Sequence, residues 1–417
     1  MNLKHKQSCR ICENKHLIPV IDLGSQYFQG AFSKDGVPVS HRKTPNLLVR
    51  CDVSKNENAC GLIQTAHTVP AEILYSNYWY QSGISLTMRN HLKSIAEEAL
   101  KITALNKGKV LDIASNDNTL LRNYPPSFEK VGVDPSDIAG RQTDLDIKIY
   151  NETFPSKALK EQTTKTDLFD IVTSIACFYD IENPKNFARE VADILKEDGV
   201  WIFEVAYWPS MIEKLAYDSI VNEHVIHYHL APLEVMFTPL GLKIFDARLT
   251  DTNGGSIMVY VCKDACLKYE TQERKKRVTK LRLYEFNLAL DEEEIYKTFR
   301  EKVKERKDEL LDLLNGLKKE NKKIHIYGAS TKLNSILGYC GIDSSLIEYA
   351  AERSPEKVGA KTISGIKIIS EEESRAMKPD YYLVGPYHFK SEILERESEI
   401  RKAGVKFIFP LPNVTVV

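Results

Sequence analysis

Apolar and polar positions change rhythm three times along the chain. Up to Val69 the apolar runs are short and broken by turn formers (DLGSQ, SKDGVP, SKNENACG), a pattern that predicts loops and brief strands rather than helices. From about Leu86 to Leu105, MRNHLKSIAEEALKITAL repeats its apolar residues every three to four positions, the signature of an amphipathic helix. Beyond it the strand-like runs KVLDIA, KVGVDP, DIKIY, FDIVTSIA and VWIFEVAY alternate with helix-like stretches such as NPKNFAREVADILKEDG. That alternation predicts a parallel sheet covered on both faces. LKIFDARL and SIMVYVC, joined by TDTNGGS, read as an antiparallel pair at its end.

Between Lys263 and Lys323 the sequence turns charged and helical, which reads as a solvated connector of two helices with charge pairs at i,i+4. A second alternating region follows from KIHIYGAS to KFIFPLP. VLDIASNDNTLL and IHIYGASTKLNSIL each run as a strand into small residues before a helix, which marks two doubly wound halves. The expected fold is therefore α/β: a small module over residues 1–69, a doubly wound domain over 70–265, and over 266–417 a helical connector with a second Rossmann-like domain.

The 417 residues carry 57 Lys plus Arg against 58 Asp plus Glu, a net charge of -1, so the field that nucleic-acid binding needs is missing. No apolar run approaches the ~18 residues of a membrane span, and MNLKHKQSCR lacks a secretory signal's apolar stretch. The expectation is a cytoplasmic protein with neither nucleic-acid nor membrane partners.

Cysteine placement alters the picture of the first module. Cys9, Cys12, Cys51 and Cys60 crowd into a segment poor in apolar residues, and in a reducing compartment four such thiolates suit structural, tetrahedral zinc. Free or redox-active thiols are the alternative. The gap in CDVSKNENAC is wider than a common zinc knuckle.

In VLDIASNDNTLL a strand ends in Ala114, Ser115 and Asn116, where the main chain can approach a ligand at the carboxyl edge of a sheet. Asp134, closing the next strand, follows Asp112 by 22 residues, the spacing at which a carboxylate accepts from ribose hydroxyls. The loop is not G-x-G-x-x-G and has no lysine for a triphosphate, so a nucleoside without phosphate fits best: S-adenosylmethionine. The bland alternative is that Asp112 and Asp134 cap helices and turns.

NEHVIHYHL, from Asn222 to Leu230, is the densest group of proton-transfer residues. If it is helical, Glu223 and His227 share a face, as do His224 and Tyr228. It reads as a general acid/base segment, with a second metal site or a polar surface as alternatives. The turn Asn253, Gly254, Gly255 and Ser256 is expected at the same edge. YSNYWYQSG, from Tyr75 to Gly83, offers tyrosine hydroxyls or plain packing.

Together these passages resemble, over nearly the whole chain, the S-adenosylmethionine-dependent C-methyltransferases of nucleotide-linked deoxysugars. The resemblance rests on Cys9-x2-Cys12 with CGLIQ, YWYQSG, SNDN, FYDIENP, the Glu223-His224 pair, NGGS, GASTKLNS, ERSPEKVG and FPLP. It implies a zinc module, a methyltransferase domain and a Rossmann-like nucleotide-sugar domain. Glu223 and His224 would be the acid/base pair, with Tyr78 or Tyr80 an active-site tyrosine. Tyr179, Asn222, His227, Asn253, Gly254, Ser256, Ser330, Lys332, Asn334 and Lys357 would contact the substrate. The chain departs from the family pattern at Val221 and Asn222, at Met258, and at Ala114 and Asn118, where glycines are usual.

The chemistry expected is methylation of the carbon beside a sugar ketone. His224, oriented by Glu223, would take the proton, and a tyrosine hydroxyl or an amide of the NGGS turn would steady the enolate. Ser330, Lys332 and Asn334 open a helix where a diphosphate would sit, or else they cap it. O-methylation is the main rival. An NAD-dependent epimerase lacks its motifs here, and a non-catalytic zinc module leaves Asp134 and the Glu-His pair idle. A monomer or small homo-oligomer is expected.

Overall fold

The computed structural model describes residues 3–33, 43–69, 80–164 and 166–417. The first module holds three antiparallel strands, β1 (Leu17–Gln26), β2 (Thr44–Cys51) and β3 (Ile63–Thr65). Its sheet is completed from far along the chain, because Ile226–His227 pairs with Ile63 and Gln64. The module does not own its core. Val20, Leu48 and Ile63 are packed in one cluster with Tyr296, Phe299, Leu333 and Ile336, and the cysteines join the cluster of the central sheet. This is how so short an apolar inventory is buried.

The helix α1 (Leu86–Thr103) is capped by Ser85, whose hydroxyl accepts from the Met88 amide, and it buries Leu92, Ile95 and Ala99. The central sheet uses β4 (Gly108–Ile113), β5 (Phe128–Val133), β6 (Ile147–Tyr150), β7 (Phe169–Ile175), β8 (Leu195–Ala206), β9 (Leu242–Thr250) and β10 (Ser256–Lys263), with α2 (Pro184–Ile194) between β7 and β8. Their order is β9-β10-β8-β7-β4-β5-β6. Strands β4 to β8 are parallel, and β10 runs antiparallel between β8 and β9, as the alternation and the NGGS link predict.

Two helices follow, α3 (Gln272–Asn287) and α4 (Glu293–Lys319). They are more than a solvated connector. α4 buries Tyr296, Phe299, Val303, Leu310 and Leu314, each burial worth roughly 1.5–3 kcal/mol. Charge pairs on its outer face had masked that apolar stripe.

The last sheet repeats the central plan with β11 (Ile324–Tyr327), β12 (Tyr349–Glu352), β13 (Lys367–Ser370), β14 (Tyr381–Val384), β15 (Lys406–Phe409) and a short antiparallel β16 (Thr415–Val416). Its order is β13-β12-β11-β14-β15-β16. The helix α5 (Thr331–Cys340) follows β11 directly. In both doubly wound sheets the chain reverses direction beside the first strand, which opens a crevice at the carboxyl edge between β4 and β7 and between β11 and β14.

Candidate active site

The sulfurs of Cys9, Cys12, Cys51 and Cys60 lie within 4.8 Å of one another. Cys9 and Cys60 approach to 3.5 Å, and Cys12 and Cys51 to 3.4 Å. Those edges match four thiolates around tetrahedral zinc, whose Zn–S bonds are about 2.3 Å. Amide donors already face the sulfurs: Asn14 Nδ2 at Cys51 and the Ile11 amide at Cys9. Four protein ligands leave no open position, so the role is structural.

At the first crevice β4 runs into a loop whose shape explains the departures from glycine. Ala114, Asn116 and Asn118 have φ of 61°, 51° and 62°, in the left-handed region. The Asn116 amide donates to Asp134 Oδ2 (2.9 Å) and the Ser136 amide to Oδ1 (2.8 Å). Asp134 thus braces the loop while each oxygen keeps a further lone pair. Asp112 faces sideways instead, accepting from Thr173 Oγ1 at 2.6 Å, and burial pushes its carboxyl up to about 7. Among the described residues the buried Ser115 hydroxyl and Asn118 Oδ1 have no hydrogen-bond partner. This arrangement fits the nucleoside of S-adenosylmethionine.

The segment before α1 is tied to the same loop. The Ser82 amide donates to Asn116 Oδ1, Gly83 to Asp117 Oδ2, and Asn116 Nδ2 to the Tyr80 carbonyl. Tyr80 therefore stands beside the crevice, with 46% of its surface exposed. Tyr78 lies outside the described residues.

The stretch from Asn222 to Leu230 is not a helix, so its side chains do not share the faces a helix would give them. It bends, pairs at Ile226–His227 with the first module, and bridges Tyr228 to Tyr207. His227 is fully buried there against Trp208. His224 is partly exposed. The Ser219 carbonyl, rather than Glu223, orients it through Nδ1 at 3.0 Å. Its ring packs on Tyr179 at 4.2 Å, and Cys177, two residues before Tyr179, points its thiol at the Ile113 carbonyl of β4. Burial lowers His224 to about 4 and raises Glu223 to about 7.

Several expected substrate contacts are spent on the scaffold. Asn222 is held by Gln29 and Thr44, and Asn334 by the Gln29 carbonyl at 2.7 Å. Ser256 bonds the Thr252 carbonyl. Lys332 does not point into the second crevice. Its ammonium bonds the Asn253 carbonyl beside Gly254 and lies near Asp218, which Tyr387 also holds at 2.9 Å. The NGGS turn and the last domain are clasped here. Met258 is buried in the core of the central sheet.

The second crevice is a cavity of about 280 Å³ lined by Gly328, Ser330, Glu352, Lys357, Phe389 and Arg396. Ser330 caps α5 through the Leu333 amide, leaving the helix N-terminus to face the cavity. Lys357 bonds the Ala329 carbonyl (2.9 Å) and lies over Phe32 of the first module. Glu352, which follows Gly328 by 24 residues and closes the second strand, lines the same cavity, and its spacing is the signal in the sequence that points to it. It accepts from the Ala329, Arg353 and Ser354 amides.

Residues 9–75 match the family of zinc binding domains, 87–247 the methyltransferase domain, and 251–412 the C-methyltransferase C-terminal domain. The chain is 26% identical over 415 residues to the C-methyltransferase NovU of Streptomyces niveus, covering 98% of this chain and 96% of that one. Among solved structures, an S-adenosylmethionine-dependent methyltransferase from Clostridium acetobutylicum is 15% identical with a TM-score of 0.34, covering 46% of this chain and 95% of its own. The plantazolicin methyltransferase BpumL is 12% identical, TM-score 0.34, with 42% and 84% covered.

Proposed function

We propose that the protein, an S-adenosylmethionine-dependent methyltransferase whose regions match a zinc binding domain, a methyltransferase domain and a C-methyltransferase C-terminal domain, methylates the carbon beside the ketone of a nucleotide-linked 4-keto-deoxysugar. The observation that carries the reading is His224. Its Nδ1 is committed to a main-chain carbonyl, and the ring is seated on Tyr179 in the loop that follows β7, next to the donor crevice.

A carbon acid needs a base and a home for the charge on its oxygen. With its low affinity for protons, His224 is neutral near pH 7 and can take the α-proton. A nearby Glu223 carboxylate would favour the resulting imidazolium without a direct bond to it. Tyr80 or an amide of the NGGS turn would donate to the enolate oxygen. Bound S-adenosylmethionine supplies an electrophilic methyl group. Asp134 and the Ala114–Asn118 loop would hold its nucleoside, and the cavity at Ser330, Glu352 and Lys357 would take the acceptor's nucleotide, with α5 directed at the diphosphate.

The test is incubation with methyl-labelled S-adenosylmethionine and a panel of nucleotide 4-keto-deoxysugars, with the label located by NMR. Label on a carbon next to the ketone supports the reading. Turnover on a hydroxyl acceptor alone, with none on any keto sugar, replaces it with O-methylation.

A further inference from the structure

We infer that Gln29 and Gly30, in the zinc-binding module, are positioning residues for the acid/base segment: Gln29 fixes the chain just before Glu223, and Gly30 leaves the space that the Glu223 carboxylate fills. The inference rests on the reading of Glu223 and His224 given above.

Gln29 is 1% exposed, and both ends of its side-chain amide are engaged. Its Oε1 accepts from the Asn222 amide (3.1 Å) and from Asn222 Nδ2 (3.0 Å), while its Nε2 donates to Gln26 Oε1 (3.0 Å). Thr44 donates to Asn222 Oδ1 at 2.8 Å, and Asn46 Nδ2 to the Ile220 carbonyl at 2.9 Å. Three residues of the module therefore grip Ile220 and Asn222, immediately ahead of the reactive pair. Buried amide networks of this kind have one satisfied arrangement, so they fix register as well as adding stability.

Gly30 then acts on the carboxylate itself. A Cβ at this position would lie 2.1 Å from Glu223 Oε1 and 3.2 Å from Cδ, well inside contact distance. Gly30 is not among the positive-φ residues, so its main chain would accept alanine. What forbids a side chain is the carboxylate. Because the obstructing atom is the tip of a flexible side chain, a methyl group here moves Glu223 while the fold can stay intact. The same turn reaches the other domain, since the Gln29 carbonyl accepts from Asn334 on α5, two residues after the Lys332 clasp.

The experiment compares the full-length, zinc-loaded wild type with Gly30→Ala, Glu223→Asp, Glu223→Gln and the double variant Gly30→Ala/Glu223→Asp. Displacing a positioned group by about 1 Å costs on the order of 100-fold, so Gly30→Ala should lose ~10- to 100-fold in kcat. The KM for the nucleotide sugar, the zinc content and Tm should hold, and the pH–rate limb belonging to Glu223 should shift. Aspartate withdraws the carboxylate from the new methyl group, so Gly30→Ala should cost little more on the Glu223→Asp background.

Wild-type kcat in Gly30→Ala overturns the inference, as does a Gly30→Ala loss that adds in full to that of Glu223→Asp. Loss of zinc or of folding in Gly30→Ala overturns it too, by giving the glycine a structural role instead. If Glu223→Gln and Glu223→Asp both turn over at the wild-type rate, the functional reading of Glu223 falls first. A slow Glu223→Gln beside a normal Gly30→Ala removes this inference alone.

Discussion

The two doubly wound domains solve the same problem with the same device and then diverge within five residues. In each, the carboxylate closing the second strand holds the loop after the first: Asp134 accepts from the Asn116 and Ser136 amides, Glu352 from those of Ala329 and Ser354. After β11 the chain passes from Gly328 straight into α5, a ten-residue helix. After β4 it wanders through Ala114 to Asn118 and reaches only the three-residue turn Leu121–Asn123. A helix N-terminus gathers free amides and positive potential where a diphosphate would lie. A wide loop with left-handed residues, braced by Asp134, suits a nucleoside without phosphate. One architecture thus offers two crevices of different electrostatic character, which the proposed function divides between donor and acceptor.

The largest test of this division removes the proposed base beside the donor crevice. His224→Ala should lower kcat by roughly 10²- to 10⁴-fold while leaving the dissociation constant for S-adenosylmethionine unchanged by calorimetry. Retained activity would withdraw the base. The next exchanges the matching carboxylates. Asp134→Asn should weaken S-adenosylmethionine by about 10-fold or more and spare the acceptor KM, and Glu352→Gln should do the reverse, each losing a charge-assisted hydrogen bond. Equal effects of both on both ligands would abolish the comparison.

A third test is a pH profile. Burial holds Glu223 protonated up to about 7 and His224 neutral down to about 4. With the carboxylate as the helpful form, kcat/KM should rise through about pH 7, and Glu223→Gln should flatten that limb at a lower rate. A limb that survives in Glu223→Gln assigns it elsewhere. The smallest effect concerns backbone shape. Ala114 pays for its φ of 61°, and Gly328 at 81° does not, so Ala114→Gly should gain about 1 kcal/mol in denaturant unfolding. A loss instead would mean that the methyl group's packing outweighs the strain.

Much of this was legible in the chain. Period-two and period-3.6 runs gave both parallel sheets and the NGGS hairpin, because each strand's apolar pattern is local. Asp134 could be read from its spacing to Asp112, and the same rule applied from Gly328 would have found Glu352. Asn222 and Asn334 look like ligands in the sequence because their partner, Gln29, lies 193 and 305 residues away, and a polar residue says nothing of who satisfies it. The orientation of His224 was hidden for a different reason. It depends on a main-chain carbonyl, and every residue has one. The apolar stripe of α4 was obscured by the density of charge around it.

The strand pairing between Ile226–His227 and β3 bears on how the protein is made. A ribosome delivers the four cysteines long before residue 227, so the nascent module can load zinc while its sheet still lacks a strand and its apolar face lacks a cover. Domains usually fold in turn from the N-terminus during synthesis. Here the first module to emerge must wait, tethered by its metal, for the last strand of its own sheet.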